Sequence, residues 1–238
     1  MPEFKTQNAI LLAIRSLGER SHVLSVFTEQ NGKCSGVIKA KKAPDIGALI
    51  TGRWQARLTE QLGQFYLDDI QFFSVDFLDD HLRLSVLSSV CTLLNSVLPE
   101  HQSYPDLYQQ TILLFQQMNE PTILAKYLKW EVNVLRAIGF GLDFSDCAGG
   151  GNKNDLAFIS PKSGRAVSRE KGEPYKEKLL PLPYFLWKKD ISQEIPLSEI
   201  HKGFTLTTYF FTTHAGIRQM PLMREQLIRH IYKKIISD

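Results

Sequence analysis

The sequence predicts an α+β protein of two domains: a small β-barrel over residues 1–78, then a helical domain over residues 79–238. Two patterns predict this division. Apolar and polar residues alternate with period two in the first part, whereas apolar residues recur at helical spacing from Asp79 onward. A third pattern, rich in Gly, Ser, Lys and Asn, predicts a loop-rich insertion at about 145–178 within the helical domain.

The predicted barrel comprises five runs of β-branched and aromatic residues, separated by turn signals such as Asn31-Gly32. In the fourth run, alternation places Trp54 on the apolar face with Ala56 and Leu58, while Tyr66 in the fifth run is the better candidate for an exposed aromatic. Because five short strands leave edges that need cover, we expect a closed barrel of the OB type. The five runs are 9–15, 22–28, 33–41, 49–60 and 64–73.

The helical domain is predicted to begin after Asp79-Asp80, which can cap the first helix. A second helix should follow Pro105, and a third should have Pro121 in its first turn and end at Gly139. Glu131 interrupts the apolar stripe of the third helix, so we expect it to be buried with a hydrogen-bond or ion-pair partner. Further helices are predicted over 183–189, 198–213 and 221–236.

Charge is distributed unevenly along the barrel domain, although the net charge of the chain is only +3. Residues 33–57 hold six basic residues against Asp45 alone, a charge of +5, whereas residues 58–80 hold six acidic residues and no basic one, a charge of −6. One face should therefore attract polyanions and another repel them. The alternation turns five cations outward, where they either contact phosphates or form an ordinary solvated surface: Lys39, Lys41, Lys42, Arg53 and Arg57.

A second cationic region is the C-terminal helix, which together with the turn before it has five basic residues against Glu225 alone. Such a helix either docks an acidic peptide or nucleic acid, or simply places cations where its dipole favours them. Its basic residues are Arg218, Arg224, Arg229, Lys233 and Lys234.

The insertion has the spacing of a zinc knuckle without its ligands. Cys147 and Gly150 are three residues apart, as are Ser168 and Lys171, but only Cys147 could ligate zinc. We therefore predict a metal-free knuckle. Cys34 and Cys91 lie on apolar faces and are predicted to be core residues, and an odd number of scattered cysteines fits a reducing cytoplasm.

The sequence favours no enzymatic reaction. It has no Walker A, GxSxG or HExxH pattern, so we expect no catalytic residue and no cofactor. Asp68-Asp69 and Asp79-Asp80 could suggest a metal nuclease, but helix capping and protection of a strand edge are the favoured roles. No apolar run approaches the ~20 residues of a membrane span, and no signal peptide is apparent.

Motifs along nearly the whole chain resemble the RecO family of bacterial recombination mediators. The matching residues are Gly18-Glu19, Val23-Leu24, Phe27-Thr28, Gly32-Lys33, Trp130-Glu131 to Leu135, Gly139-Phe140, Leu142, Cys147, Ser160-Pro161 and Gly164. The resemblance implies an OB-fold, a helical domain and a knuckle-like segment in a nucleoid-associated protein without enzymatic turnover. It further implies binding of single- and double-stranded DNA, strand annealing and, with RecR, loading of RecA onto DNA coated by single-stranded DNA-binding protein (SSB), with RecF as a further partner.

The resemblance carries DNA contact to Lys39, Lys41 and Lys42, whereas Arg53 and Arg57 are added from strand parity alone. It also implies recognition of the acidic SSB tail on the helical domain, for which Lys126 and Lys129 are our candidates. Two features depart from the family: three zinc-ligand positions are not cysteine, and the loop at 41–47 is short and poor in arginine. The alternative function is a non-catalytic adaptor whose barrel binds a protein and not DNA.

Overall fold

A computed structural model describes residues 2–58, 61–73, 77–188 and 193–237. It has the predicted α+β architecture, with a five-stranded barrel followed by helices. Two compact units can be separated: Met1–Gln116 with Pro221–Arg224, and Gln117–Met220 with Glu225–Asp238. Within the described residues, no helix has the length and apolarity that crossing a membrane requires.

The barrel closes in the order β1-β2-β3-β5-β4, with β3 and β5 parallel and the other neighbours antiparallel. This order is consistent with an OB-like domain. The long first strand pairs with both β2 and β4, and its register shifts between Thr6 and Ala9 and between Leu11 and Ala13. Such irregularities bend a strand, which lets β1 join two sides of the barrel. The strands are β1 Glu3–Ser16, β2 Ser21–Thr28, β3 Gly32–Lys39, β4 Leu49–Gln55 and β5 Gly63–Gln71.

The barrel interior confirms most of the predicted alternation. Trp54 is fully buried; its Nε1 donates to the Ser35 carbonyl at 3.0 Å, and its ring stacks on Phe4 with centroids 4.8 Å apart. Cys34 is also fully buried, as predicted. The prediction for Leu58 is wrong, since this side chain is 56% exposed. The fourth strand ends at Gln55, so alternation no longer applies there, and residues 59 and 60 lie outside the described part of the chain.

Two helices of the first unit cover the barrel, α1 His81–Val97 and α2 Pro105–Gln116. Asp80 caps α1 as predicted, because its Oδ1 accepts the N–H groups of Leu82 and Arg83 at 3.0 Å. These hydrogen bonds, led by that of Arg83, hold the pKa of the Asp80 carboxyl below its ordinary value. The Tyr108 hydroxyl on α2 donates to the Asn8 carbonyl at 2.5 Å, tying this helix to β1.

The second unit is built on α3 Ile123–Ala137 and α6 Leu197–Thr213, which pack together. Glu131 is fully buried in α3 and accepts a hydrogen bond from Thr207 of α6 at 2.6 Å, confirming its structural role. Gly139 follows α3 with φ +93°, as expected of a C-terminal cap. Pro121 lies before the helix, which begins after Thr122, so its predicted place in the first turn is wrong.

The segment predicted as a loop-rich insertion contains two strands, β6 Leu156–Ile159 and β7 Ala166–Ser168, and a third strand, β8 Leu180–Pro181, follows it. Together they form a small sheet of order β7-β6-β8. The sequence predicted mainly loops here, and the sheet was missed because its strands have two to four residues each. The remaining helices are α4 Arg169–Gly172, a 3-10 helix at Glu173–Lys178, α5 Tyr184–Trp187 and α7 Leu222–Ser237.

Candidate nucleic-acid interface

Three lysines form a rim cluster where β3 ends. Lys39 is the last residue of this strand, and Lys41 and Lys42 lie in the bend that follows. All three are exposed, and among the described residues no carboxylate comes within ion-pair distance of their amines. Their positive charge is therefore available to an incoming phosphate.

Arg53 points outward from β4 as strand parity predicts. It pairs across the sheet with Tyr66 of β5 on one side and Lys5 of β1 on the other. Its guanidinium carbon lies 5.1 Å from the centre of the Tyr66 ring, and its Nε lies 3.5 Å from Glu3. Arg57 is exposed beyond the end of β4. Tyr66 is 41% exposed, which confirms the expectation for this aromatic.

The five predicted cations form two groups, because β5 lies between β3 and β4 in the barrel. On β5, Gln64 pairs with Val37 on one side and with Gln55 on the other. The pairing of β3 with β5 ends there, and Lys39 and Tyr66 are exposed two residues farther along their strands. The outer face thus carries a row of Tyr66, Arg53 and Lys5, with Lys39 on the neighbouring strand β3.

Lys5 is a candidate that the sequence reasoning missed. The first predicted run began at Ala9, whereas β1 begins at Glu3. The missed signal was the alternation of half-buried Phe4 and buried Thr6 with the exposed Lys5 between them.

Lys33, which contributed to the predicted cationic segment, does not belong to this outer surface. Its side chain is half-buried, donates to the Asn95 carbonyl at 3.0 Å and lies 3.9 Å from Glu100. Burial lowers the pKa of the Lys33 amine, and the charge of Glu100 only partly offsets this. The last turn of α1 and the segment after it therefore hold the Lys33 amine.

The acidic side of the predicted charge asymmetry lies toward the end of β5. Asp68 and Asp69 are both exposed, because a register shift opposite Thr51 and Gly52 interrupts the alternation. Asp79 is exposed, while Glu60 and Asp76 lie outside the described residues. Over the described ranges, no three His, Cys, Asp or Glu side chains are grouped as a metal site would need.

The candidates for the SSB tail are both held by intramolecular contacts. Lys126 pairs with Glu120, and the Lys129 amine donates to the Lys188 carbonyl at 2.6 Å. On the C-terminal helix, Arg224 is fully buried and is not part of a cationic surface, contrary to the simple charge count.

The knuckle-like spacing does bring its two halves together. The Cys147 sulfur accepts the Ser168 N–H at 3.2 Å and lies 3.4 Å from the Ser168 hydroxyl. A Cβ at Gly151 would overlap that hydroxyl and lie 2.8 Å from Lys171. Burial raises the pKa of the Cys147 thiol, but hydrogen bonds from Ser168, Gly151 and Gly149 outweigh it, so this pKa lies below its ordinary value. Hydrogen bonds thus join the loops that zinc would join.

The sequence of this chain also matches those of known proteins. The family model described as recombination protein O, C-terminal, matches residues 78–222. A protein called DNA repair protein RecO from Jannaschia sp. is 35% identical over 96% of both chains. A protein of the same name from Rhodospirillum centenum is 36% identical over 88% of this chain and 86% of its own length. Another from Bartonella quintana is 37% identical over 94% of this chain and 95% of its own length. The chain belongs to the RecO family. This confirms the resemblance drawn from the motifs.

Some of the residues that carry the RecO resemblance build one local structure in the second unit. Gly139, Phe140 and Gly164 line a cavity of about 180 Å³. The neighbouring chain segments are joined by backbone hydrogen bonds of 2.9 Å, from Asp143 to Gly164 and from Ala166 to Asp143. RecO motifs that are separate in sequence therefore meet in space.

Proposed function

We propose that this RecO-family chain is a non-catalytic recombination mediator. It binds single- and double-stranded DNA through an OB-fold domain at residues 1–78 and promotes annealing. With RecR it helps to load RecA onto SSB-coated single strands. The observation that carries this proposal is the rim cluster of Lys39, Lys41 and Lys42, three exposed lysines at the end of one strand in a member of a DNA repair family.

The rim cluster supports DNA binding by simple electrostatics. Each lysine that meets a phosphate releases condensed counterions, and Arg53 and Arg57 extend the cationic surface along the barrel. Annealing follows from the same property, since a protein that neutralises phosphates lowers the repulsion between two complementary strands. No catalytic group or cofactor is required for this activity.

The helical domain, residues 79–238, supplies the protein contacts in this proposal. Lys126 and Lys129 receive the acidic SSB tail, and their present partners, Glu120 and the Lys188 carbonyl, are exchanged for its carboxylates. The insertion at about 145–178 acts as a metal-free knuckle whose shape depends on the hydrogen bonds around Cys147. The protein works in the cytoplasm, at the nucleoid.

The test is fluorescence anisotropy of labelled single-stranded DNA. A triple variant, Lys39→Ala with Lys41→Ala and Lys42→Ala, is compared with the wild type. The matched control removes three exposed lysines of the second unit and therefore the same charge: Lys153→Ala, Lys162→Ala and Lys178→Ala.

Weaker binding by the rim variant than by the control supports the proposal, provided that both variants keep the wild-type melting temperature. Equal binding by the rim variant and the wild type would move the DNA site away from the rim. If the wild type binds no DNA, the mediator function is wrong, and the adaptor that binds only proteins becomes the better account.

A further inference from the structure

We propose that a single DNA strand crosses the barrel over β5, β4 and β1, with one base stacked on Tyr66 and phosphates beside Arg53 and Lys5. This inference rests on the proposed function. It adds the path of the strand and the side chain that favours single over double strands.

The path follows from one outward row of side chains. Arg53 is paired in register with Tyr66 of β5 and with Lys5 of β1, so three adjacent strands present two cations and an aromatic ring at one level. Neighbouring strands are about 4.8 Å apart, so the row spans roughly 10 Å. A ligand lying along it runs across the strands.

Tyr66 is the residue on this row that can distinguish nucleic acids. It is 41% exposed, and the Arg53 guanidinium 5.1 Å from its ring centre orients the ring on the sheet. Stacking on an aromatic side chain requires an unstacked base, which a single strand offers and an intact duplex does not. Arg53 and Lys5 can contact the phosphates of single- and double-stranded DNA, whereas the Tyr66 ring can stack only on a base of a single strand.

Arg53 is also poised to exchange its partner. Its ion pair with Glu3 joins two half-exposed side chains at 3.5 Å. Such surface pairs contribute little, about 0–1 kcal/mol. A phosphate can therefore replace Glu3 at small cost, while the guanidinium stays beside the ring.

Two features disfavour two other routes over the barrel. Barrels of this type often bind nucleic acid on the face of strands 2 and 3. Here the segment after α1 covers part of that face: Ser35 donates to Glu100 at 3.2 Å, and the His101 N–H bonds the Lys33 carbonyl at 2.7 Å. Farther along β5, the exposed carboxylates of Asp68 and Asp69 repel phosphates, so the strand does not follow β5.

The experiment compares Tyr66→Ala and Tyr66→Phe in the full chain, using an oligothymidylate and a duplex of equal length at one salt concentration. Tyr66→Ala should weaken binding of the single strand about 5- to 150-fold, the range that loss of one stacked base produces. Duplex binding should change less than about 2-fold, because phosphate contacts remain. Tyr66→Phe keeps the ring and should bind like the wild type. Tyr175→Ala is the matched control, since this tyrosine is 61% exposed in the second unit.

Two more variants give independent readouts. In Tyr66→Trp, the added indole fluorescence should be quenched when the oligothymidylate binds. Asp68→Asn combined with Asp69→Asn should tighten binding, because the acidic border of the path is neutralised.

The inference is overturned if wild-type protein binds single strands and Tyr66→Ala binds them equally well. It is also overturned if Tyr66→Ala weakens single strands and duplex to the same extent, since the ring would then act only by placing Arg53. In both cases, a rim-lysine variant that still loses affinity leaves the proposed function standing. If wild-type protein binds no DNA at all, the function and the inference fail together.

Discussion

Replacing Gly63 by alanine should destabilise the barrel by crowding Trp54. A Cβ at residue 63 would lie 2.6 Å from Cζ2 of the indole, well inside van der Waals contact. The indole has little freedom to move, because it is fully buried, stacks on Phe4 and donates to the Ser35 carbonyl. Either the strand or the ring must shift.

The expected loss in the free energy of unfolding follows from how the strand or the ring relieves this clash. Overpacking a core typically costs about 1–3 kcal/mol, and a shifted indole also loses a hydrogen bond that contributes about 1 kcal/mol. We therefore expect the free energy of unfolding to fall by about 2–4 kcal/mol. For a chain of this length, that change lowers the melting temperature by roughly 4–16 °C.

A double-mutant cycle in urea isolates the clash. Trp54→Phe removes the part of the indole nearest residue 63, so Gly63→Ala should cost at least about 1 kcal/mol less in that background than in the wild type. A Gly63→Ala protein as stable as the wild type, or a cycle with no coupling between the two sites, would refute the packing of Trp54 against β5.

Three further predictions concern the cap, the buried carboxyl and the knuckle. Asp80→Ala should lower the free energy of unfolding by about 1 kcal/mol at pH 7, while the exposed neighbour in Asp79→Ala should matter little. Folding lowers the pKa of Asp80, so the stability that its carboxylate adds is complete above the unfolded pKa of about 3.9. This stability is lost as the pH falls through the folded pKa. Urea unfolding of the wild type and both variants at several pH values checks the size of the effect and its pH dependence. Thr207→Val should lower the free energy of unfolding by about 1–3 kcal/mol, because it removes the donor to buried Glu131. Thr205→Val on the exposed face of α6 should leave it unchanged. Equal melting temperatures for the two variants would contradict this prediction. Elemental analysis of purified protein should find no bound zinc, and about one zinc per chain would refute the metal-free knuckle.

Local periodicity predicted the parts of the structure that neighbouring residues determine. Alternation separated the buried Trp54 from the exposed Tyr66, although both are aromatic residues in adjacent strands. Single-residue chemistry likewise identified the Asp80 cap and the positive φ of Gly139. These features depend on a few consecutive residues, so one sequence is sufficient to identify them.

Contacts between distant segments were beyond this reasoning. The sequence predicted Lys33 as a surface cation, but its amine contacts Asn95 and Glu100, which are more than 60 residues away in sequence. Lys129 is similarly held by the Lys188 carbonyl. Lys5 was missed because β1 pairs with β4, which extends it beyond the apolar run that signalled a strand. Only the folded chain shows which cations remain available to DNA.

The salt dependence of single-strand binding tests the central claim, that exposed barrel cations hold DNA by its phosphates, most directly. Four or five phosphate contacts predict that log affinity falls with log salt at a slope of roughly −3, at about 0.7 per contact. Removing Lys39, Lys41 and Lys42 should reduce the slope to roughly −1. An unchanged slope in the triple variant, or a flat response in a measurable wild-type complex, would contradict the account.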